Sequence, residues 1–170
     1  MNRLSNPGFA GLAVVLALGF AAPADAATKE RKIVQNPTGI CDALSPASDS
    51  DLRRQPTAIK NVSPTNANVV VNCSIYADEF GSDPTQVFVY FTNGSTANRT
   101  VNCTLHSGST YYGVTTVTKS FVLEPGEMTF HYWSGFDLTS GVKSMNLSCA
   151  LPKGVLMHDI GMRYFEDVGE

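Results

Sequence analysis

From Asn68 onward the chain alternates apolar and polar residues with a period of two, the pattern of strands that bury one face. Val69, Val71, Cys73 and Ile75 alternate with Val70, Asn72, Ser74 and Tyr76. Val101, Cys103 and Leu105 alternate with Asn102, Thr104 and His106, and Met145, Leu147, Cys149 and Leu151 with Asn146, Ser148 and Ala150. The run Gln86–Thr92 is apolar on both faces, as a central strand is. Met128, Phe130 and Tyr132 fall on one face of a further strand, with Thr129, His131 and Trp133 on the other. Thr115–Leu123 and Val155–Phe165 bring the set to about seven strands.

Turn-forming residues separate these runs: Gly81-Ser82-Asp83-Pro84, Asn93-Gly94-Ser95, Gly108, Glu124-Pro125-Gly126, Ser140-Gly141 and Pro152-Lys153-Gly154. Asn93-Gly94 and Pro125-Gly126 tolerate a positive φ and are expected to form hairpin turns. The pattern predicts an all-β protein, an antiparallel β-sandwich of two packed sheets, with a closed β-barrel as the alternative.

Upstream of residue 68 the pattern fades. Residues 27–67 are rich in Pro, Ser, Asn, Thr and Asp, and contain no aromatic residue. They read as a mostly irregular lead-in, with one strand near Ala58–Val62 and a short helical turn near Ser48–Arg54. Residues 68–170 then form the β-sandwich domain.

Residues 1–26 have the form of a signal peptide. Met1-Asn2-Arg3 provides a positive start, Ala10 to Ala22 an apolar run, and Ala24-Asp25-Ala26 a small–x–small cleavage site. The apolar run is too short to span a membrane, so no transmembrane segment is expected. Its alanine richness suggests a bacterial source, and the protein is expected to be secreted or periplasmic.

Export places Cys41, Cys73, Cys103 and Cys149 in an oxidising compartment, where disulfides are the default. Spacing alone does not choose among the pairings that four cysteines allow. Cys103 and Cys149 share a strand-centre setting, which favours Cys103–Cys149. Cys41–Cys73 would then tie the lead-in to the first long strand. No C-x-x-C or flanking cation marks a reactive thiol.

A formal net charge of −3 removes the usual driving force for nucleic-acid binding. The cations concentrate before residue 61, from Lys29 to Lys60, but are scattered and read as solvated surface.

No motif identifies catalytic chemistry. His106, His131 and His158 have no metal-ligand spacing, so no metal and no cofactor is expected. His106 and His131 are expected on polar strand faces, and His158 as a half-buried, satisfied residue. G-x-S-x-G is absent, and nothing selects a catalytic pair among Glu79, Asp83, Glu124, Glu127 and Asp137. Asp78, Glu79 and Asp83 share a loop with the hard oxygens that calcium needs, but lack a calcium-loop spacing and read as a solvated turn.

Tyr111 and Tyr112, bounded by Gly108 and Gly113, are the candidate ligand-binding residues, with Trp133 as a third. Such rings stack on sugars or anchor protein partners. Capping of the open end of the sandwich is the competing reading. N-x-S/T triplets at Asn61, Asn72, Asn93, Asn98, Asn102 and Asn146 arise readily in so Asn-, Ser- and Thr-rich a chain.

Val71-Asn72-Cys73-Ser74 and Val101-Asn102-Cys103-Thr104 nearly repeat, which two strands in similar half-buried settings account for. These segments, with Leu147-Ser148-Cys149-Ala150-Leu151-Pro152 and the closing Ile160–Glu166, resemble small secreted bacterial disulfide-containing β-sandwich proteins of unknown function. The resemblance implies an exported, disulfide-bonded sandwich and no activity. The expected function is a non-catalytic binding or surface-recognition module for a glycan, a cell-envelope component or a protein. The alternatives are a secreted hydrolase with a loop-borne carboxylate or histidine site, and a structural or assembly subunit.

Overall fold

The computed structural model describes residues 27–65, 67–76, 83–109, 113–134 and 145–168. The seven strands expected from the alternation are present: β5 (Val69–Ile75), β6 (Asp83–Asn93), β7 (Arg99–Ser109), β8 (Gly113–Leu123), β9 (Met128–Ser134), β10 (Met145–Leu151) and β11 (Val155–Asp167). Four more precede them, namely β1 (Thr28–Gln35), β2 (Cys41–Ala43), β3 (Leu52–Gln55) and β4 (Ala58–Asn61). The strands form two antiparallel sheets and no closed barrel. A six-stranded sheet has the order β3-β4-β11-β6-β9, with β1 also paired to β11. A five-stranded sheet has the order β2-β5-β10-β7-β8.

The segment 27–67 is therefore far more regular than its composition suggests. The strand expected near Ala58–Val62 is β4, and the helical turn is a 3₁₀ turn over Pro46–Asp51. The remaining strands escape a pattern search because they are short or lie on an edge with little buried surface. β1 is mostly exposed and is ordered by its ladder with β11, from Thr28↔Asp167 to Gln35↔Ile160. Charge reinforces that ladder: Arg31 pairs with Glu166, and Glu30 lies 3.7 Å from Arg163.

The core lies between the sheets. Val71, Cys73, Ile75, Val101, Cys103, Leu105, Leu147 and Cys149 enter it from the five-stranded sheet. Ile59, Val87, Val89, Phe91, Trp133, Met157, Ile160, Met162 and Tyr164 enter from the other. Both disulfides sit inside the five-stranded sheet. Cys41–Cys73 joins directly opposed residues of β2 and β5, and Cys103–Cys149 does the same for β7 and β10. The pairing agrees with the expectation, and no cysteine is free.

Asn93-Gly94 and Pro125-Gly126 do not close hairpins. The β6–β7 and β8–β9 connections carry the chain from one sheet to the other, as do β4–β5 and β10–β11. The reason is visible at Asn61 and Asn93, both fully buried. Asn61 Nδ2 donates to the carbonyls of Ala67 (2.8 Å) and Leu151 (2.7 Å), while its Oδ1 accepts from the Ser63 amide (2.8 Å). Asn93 Nδ2 donates to Ala97 (2.8 Å) and Leu123 (2.9 Å), and its Oδ1 accepts from Ser95 N (3.0 Å).

The backbone repeats the correspondence. The Asn61 carbonyl accepts from Gly154 N and the Asn93 carbonyl from Gly126 N. Both glycines have positive φ (88° and 77°), the left-handed turn that lets each amide point back at the asparagine. The asparagine side chains thus tie neighbouring arches together and leave no hairpin geometry available. The near-repeat of β5 and β7 extends well beyond its four residues, since the two strands flank β10 and each follows one such lock. Neither buried asparagine is open to glycosylation.

Candidate functional site

The outer face of the five-stranded sheet is a polar ladder. Thr104 meets Thr118 (2.9 Å), His106 meets Thr116 (3.2 Å), and Ser120 donates to Asn102 (2.6 Å). His106 is the hydrogen-bonded surface residue expected.

The outer face of the six-stranded sheet is different in kind. Its register aligns Val34, Gly161, Phe88 and Tyr132 in one row across β1, β11, β6 and β9. Tyr90 opposes Phe130 in the next row, and Thr92 opposes Met128 beyond it. The rings form one cluster: Tyr90–Phe130 centroids are 5.0 Å apart, Phe88–Phe130 5.7 Å and Phe130–Tyr132 5.7 Å. Met128, Phe130 and Tyr132 retain 59%, 41% and 49% of their surface. Large apolar side chains this exposed and this close together form a patch and not isolated surface residues.

Gly161 makes the floor of this face. A Cβ there would lie 2.5 Å from the Phe88 ring and 2.1 Å from the Ile33 carbonyl oxygen, so only glycine lets both approach. Phe88 is consequently buried although it points outward. Lys32 places its ammonium 5.1 Å from the Phe88 centroid, a cation–π approach.

Beside Tyr90 the ladder between β6 and β11 slips. Val89 pairs with Ile160 and Phe91 with Met157, so His158 and Asp159 together oppose the single residue Tyr90. Such a β-bulge re-aims side chains. Here it turns both residues into a cleft of about 370 Å³, lined also by Lys32, Val34, Thr57, Phe88, Tyr90 and Met128. His158 Nε2 lies 3.0 Å from Thr92 Oγ1. Burial lowers its pKa, against the smaller opposing effects of Asp159 and a hydrogen bond with the Thr57 backbone, so the ring is neutral at pH 7. Its half-buried, satisfied state matches expectation.

The other candidate residues fall elsewhere. Trp133 is fully enclosed between the sheets, edge-on to Phe121 at 5.7 Å, and belongs to the core and not to an exposed patch. His131 follows it inward. It stacks on Phe121 at 4.0 Å with its pKa lowered by burial, instead of lying on a solvated polar face. The cause is the register of β9 on β6: packing Trp133 inward beside Val87 turns Phe130 and Tyr132 outward. Tyr111, Tyr112 and the Asp78–Glu79 loop lie outside the described residues. Among the described residues no cluster of His, Cys, Asp or Glu could hold a metal ion, and no helix is long and apolar enough to cross a membrane.

No protein-family model and no curated protein matches this chain. Solved structures similar to it include TmCBM61 in complex with β-1,4-galactotriose, at 13% identity over 80% of this chain and 88% of that one, with a TM-score of 0.41. A family 11 carbohydrate-binding module from Clostridium thermocellum, in complex with a mixed-linked tetrasaccharide, aligns at 8% identity over 80% and 86%, with a TM-score of 0.39. The CBM22-1–GH10 modules of Clostridium thermocellum xylanase 10B align at 12% identity over 66% of this chain, with a TM-score of 0.43. This chain spans about a fifth of the length of that xylanase chain, 21%. The likeness is weak and concerns the β-sandwich fold.

Proposed function

We propose that this protein is an exported, non-catalytic binding module that holds a carbohydrate on the outer face of its six-stranded sheet. The observation that carries the reading is the ring cluster of half-buried Tyr90 with exposed Phe130 and Tyr132, beside a cleft that mixes apolar side chains with Lys32, Thr57, His158 and Asp159. A sugar ring has an apolar C–H face and a hydroxylated rim. The first suits stacking on aromatic rings, the second suits Lys32, Thr57 and Asp159. A purely apolar partner would desolvate the Lys32 ammonium and the Asp159 carboxylate without giving either a hydrogen bond.

Binding without turnover fits the same residues. Among the residues lining the cleft Asp159 is the one carboxylate, whereas glycoside hydrolysis by the common mechanism uses a pair.

A glycan array followed by calorimetry with the selected oligosaccharide tests the proposal. Phe130→Ala and Tyr90→Ala are expected to weaken binding about tenfold or more each, as central aromatic anchors do. Full retention of affinity by the double variant, with an unchanged unfolding midpoint, would move the site away from this face. Capture of a protein and no saccharide would replace the ligand class.

A further inference from the structure

Resting on the carbohydrate reading, we infer that the saccharide is uncharged and that Asp159 and Lys32 select it. The two charges share one cleft without neutralising each other. Among the described residues the ion pairs are Arg31–Glu166, Arg54 with Asp42 and Asp49, and Arg163–Glu30; neither Lys32 nor Asp159 takes part in one. Asp159 is exposed at the bulge, and Lys32 is held by its approach to the Phe88 ring.

The cleft therefore presents a charged donor and a charged acceptor, with Thr57 and the His158 imidazole, its pKa lowered by burial, among its other lining groups. A sugar hydroxyl donates and accepts at once, so neighbouring hydroxyls can satisfy Asp159 and Lys32 together. A uronate or sulfated sugar would pair with Lys32 but bring a second anion towards Asp159. An amino sugar would pair with Asp159 but bring a second cation towards Lys32. Either charge loses on one side what it gains on the other, and a neutral ligand avoids both penalties.

The position of Asp159 is a product of the bulge. Without the extra residue, strict alternation would send one member of the His158–Asp159 pair to the inner face. The fold thus spends a ladder irregularity on bringing this carboxylate to the aromatic floor.

The test is calorimetry with three ligand sets of matched length: neutral oligosaccharides, uronate-containing ones and cationic amino-sugar ones. The wild type is expected to bind a neutral member at least tenfold more tightly than either charged set, with little change on a roughly tenfold rise in salt. Asp159→Asn and Lys32→Gln should each weaken neutral binding roughly ten- to hundredfold, the range for hydrogen bonds to charged groups. Asp159→Asn should also narrow the gap to uronates, and Lys32→Gln the gap to amino sugars. Both residues are on the surface, so unfolding midpoints should hold. A wild-type preference for either charged set, or unaltered discrimination in both variants, overturns this inference and leaves the carbohydrate reading intact. Binding of no saccharide, or indifference to Tyr90→Ala and Phe130→Ala, overturns the carbohydrate reading itself.

Discussion

Replacing Asn93 with alanine removes a side chain that is fully buried and makes four hydrogen bonds. Its Nδ2 serves the Ala97 and Leu123 carbonyls; its Oδ1 serves the Ser95 amide and, at 2.6 Å, the Ser95 hydroxyl. Ser95 and Ala97 lie near the surface and can turn to water. Leu123 is wholly buried, so its carbonyl loses a partner that water does not readily replace. Net losses near 1 kcal/mol per bond plus an unsatisfied buried acceptor give a destabilisation of about 3–5 kcal/mol. That is a large part of the roughly 5–15 kcal/mol that holds a domain of this kind.

Guanidinium unfolding reads the effect directly, because the single tryptophan, Trp133, is buried and its emission reports the loss of the core. The midpoint should fall with an unchanged slope. Ser120→Ala is the control: it breaks a bond of 2.6 Å to Asn102 on an exposed face and should shift stability by less than about 0.5 kcal/mol. A second comparison is Asn93→Asp, which keeps the acceptor and loses the donors. Its carboxylate would face the Leu123 and Ala97 carbonyl oxygens, so the folded state raises its pKa. A raised pKa stabilises below the ordinary carboxyl range and is lost as pH rises, so Asn93→Asp should be most stable in acid. An Asn93→Ala loss under about 1 kcal/mol, or one no larger than that of Ser120→Ala, would refute the reasoning that burial makes this lock strong.

Asn61→Ala, which loses the matching bonds to Leu151, Ala67 and the Ser63 amide but no counterpart of the Ser95 hydroxyl bond, should cost somewhat less than Asn93→Ala in the same assay. Gly161→Ala should lower the unfolding midpoint and weaken oligosaccharide binding together, because its Cβ collides with the β1 backbone and the Phe88 ring; normal binding with normal stability would contradict the close approach. Replacing Cys103 and Cys149 by alanine opens a loop of 46 residues and should cost about 4 kcal/mol on the chain-entropy model, measured against the intact protein under non-reducing conditions. His131 and His158 both have folded pKa values below the ordinary 6.5, so each contributes stability above that pH that is lost as pH falls through the folded value. Melting temperature should therefore drop on acidification from neutrality, less steeply in His131→Phe, and a flat or rising profile would exclude the effect.

Alternation made the architecture legible. β5, β7 and β10 each place an unbroken apolar set on one side, and the disulfides follow from cysteines standing inside those sets. The lead-in was opaque because its strands gain order from partners distant in sequence. β1 holds Ile33 against the core but is otherwise exposed, and its ladder with β11 leaves no local trace. The asparagine locks hide for the same reason. Asn93-Gly94 has the composition of a hairpin turn, and only the distant Leu123 carbonyl turns it into an arch between sheets.

The aromatic outer face was hidden by the assumption that an apolar side chain points inward. Each sheet of a two-layer sandwich has one face to bury, and β6 fills that face with Val87, Val89 and Phe91. Phe88 and Tyr90 are then surplus to the core, as are Met128, Phe130 and Tyr132 once Trp133 has taken the inward side of β9. A strand apolar on both faces implies a third layer or a surface meant for contact. No described element covers the outer face over these strands, so Met128, Phe130 and Tyr132 stay exposed there while Phe88 is buried beneath its neighbours. The signal in the sequence was the joint excess of β6 and β9, visible only when their register is known. Periodicity finds the two faces of a strand; the space available between two sheets decides which of them the core can accept.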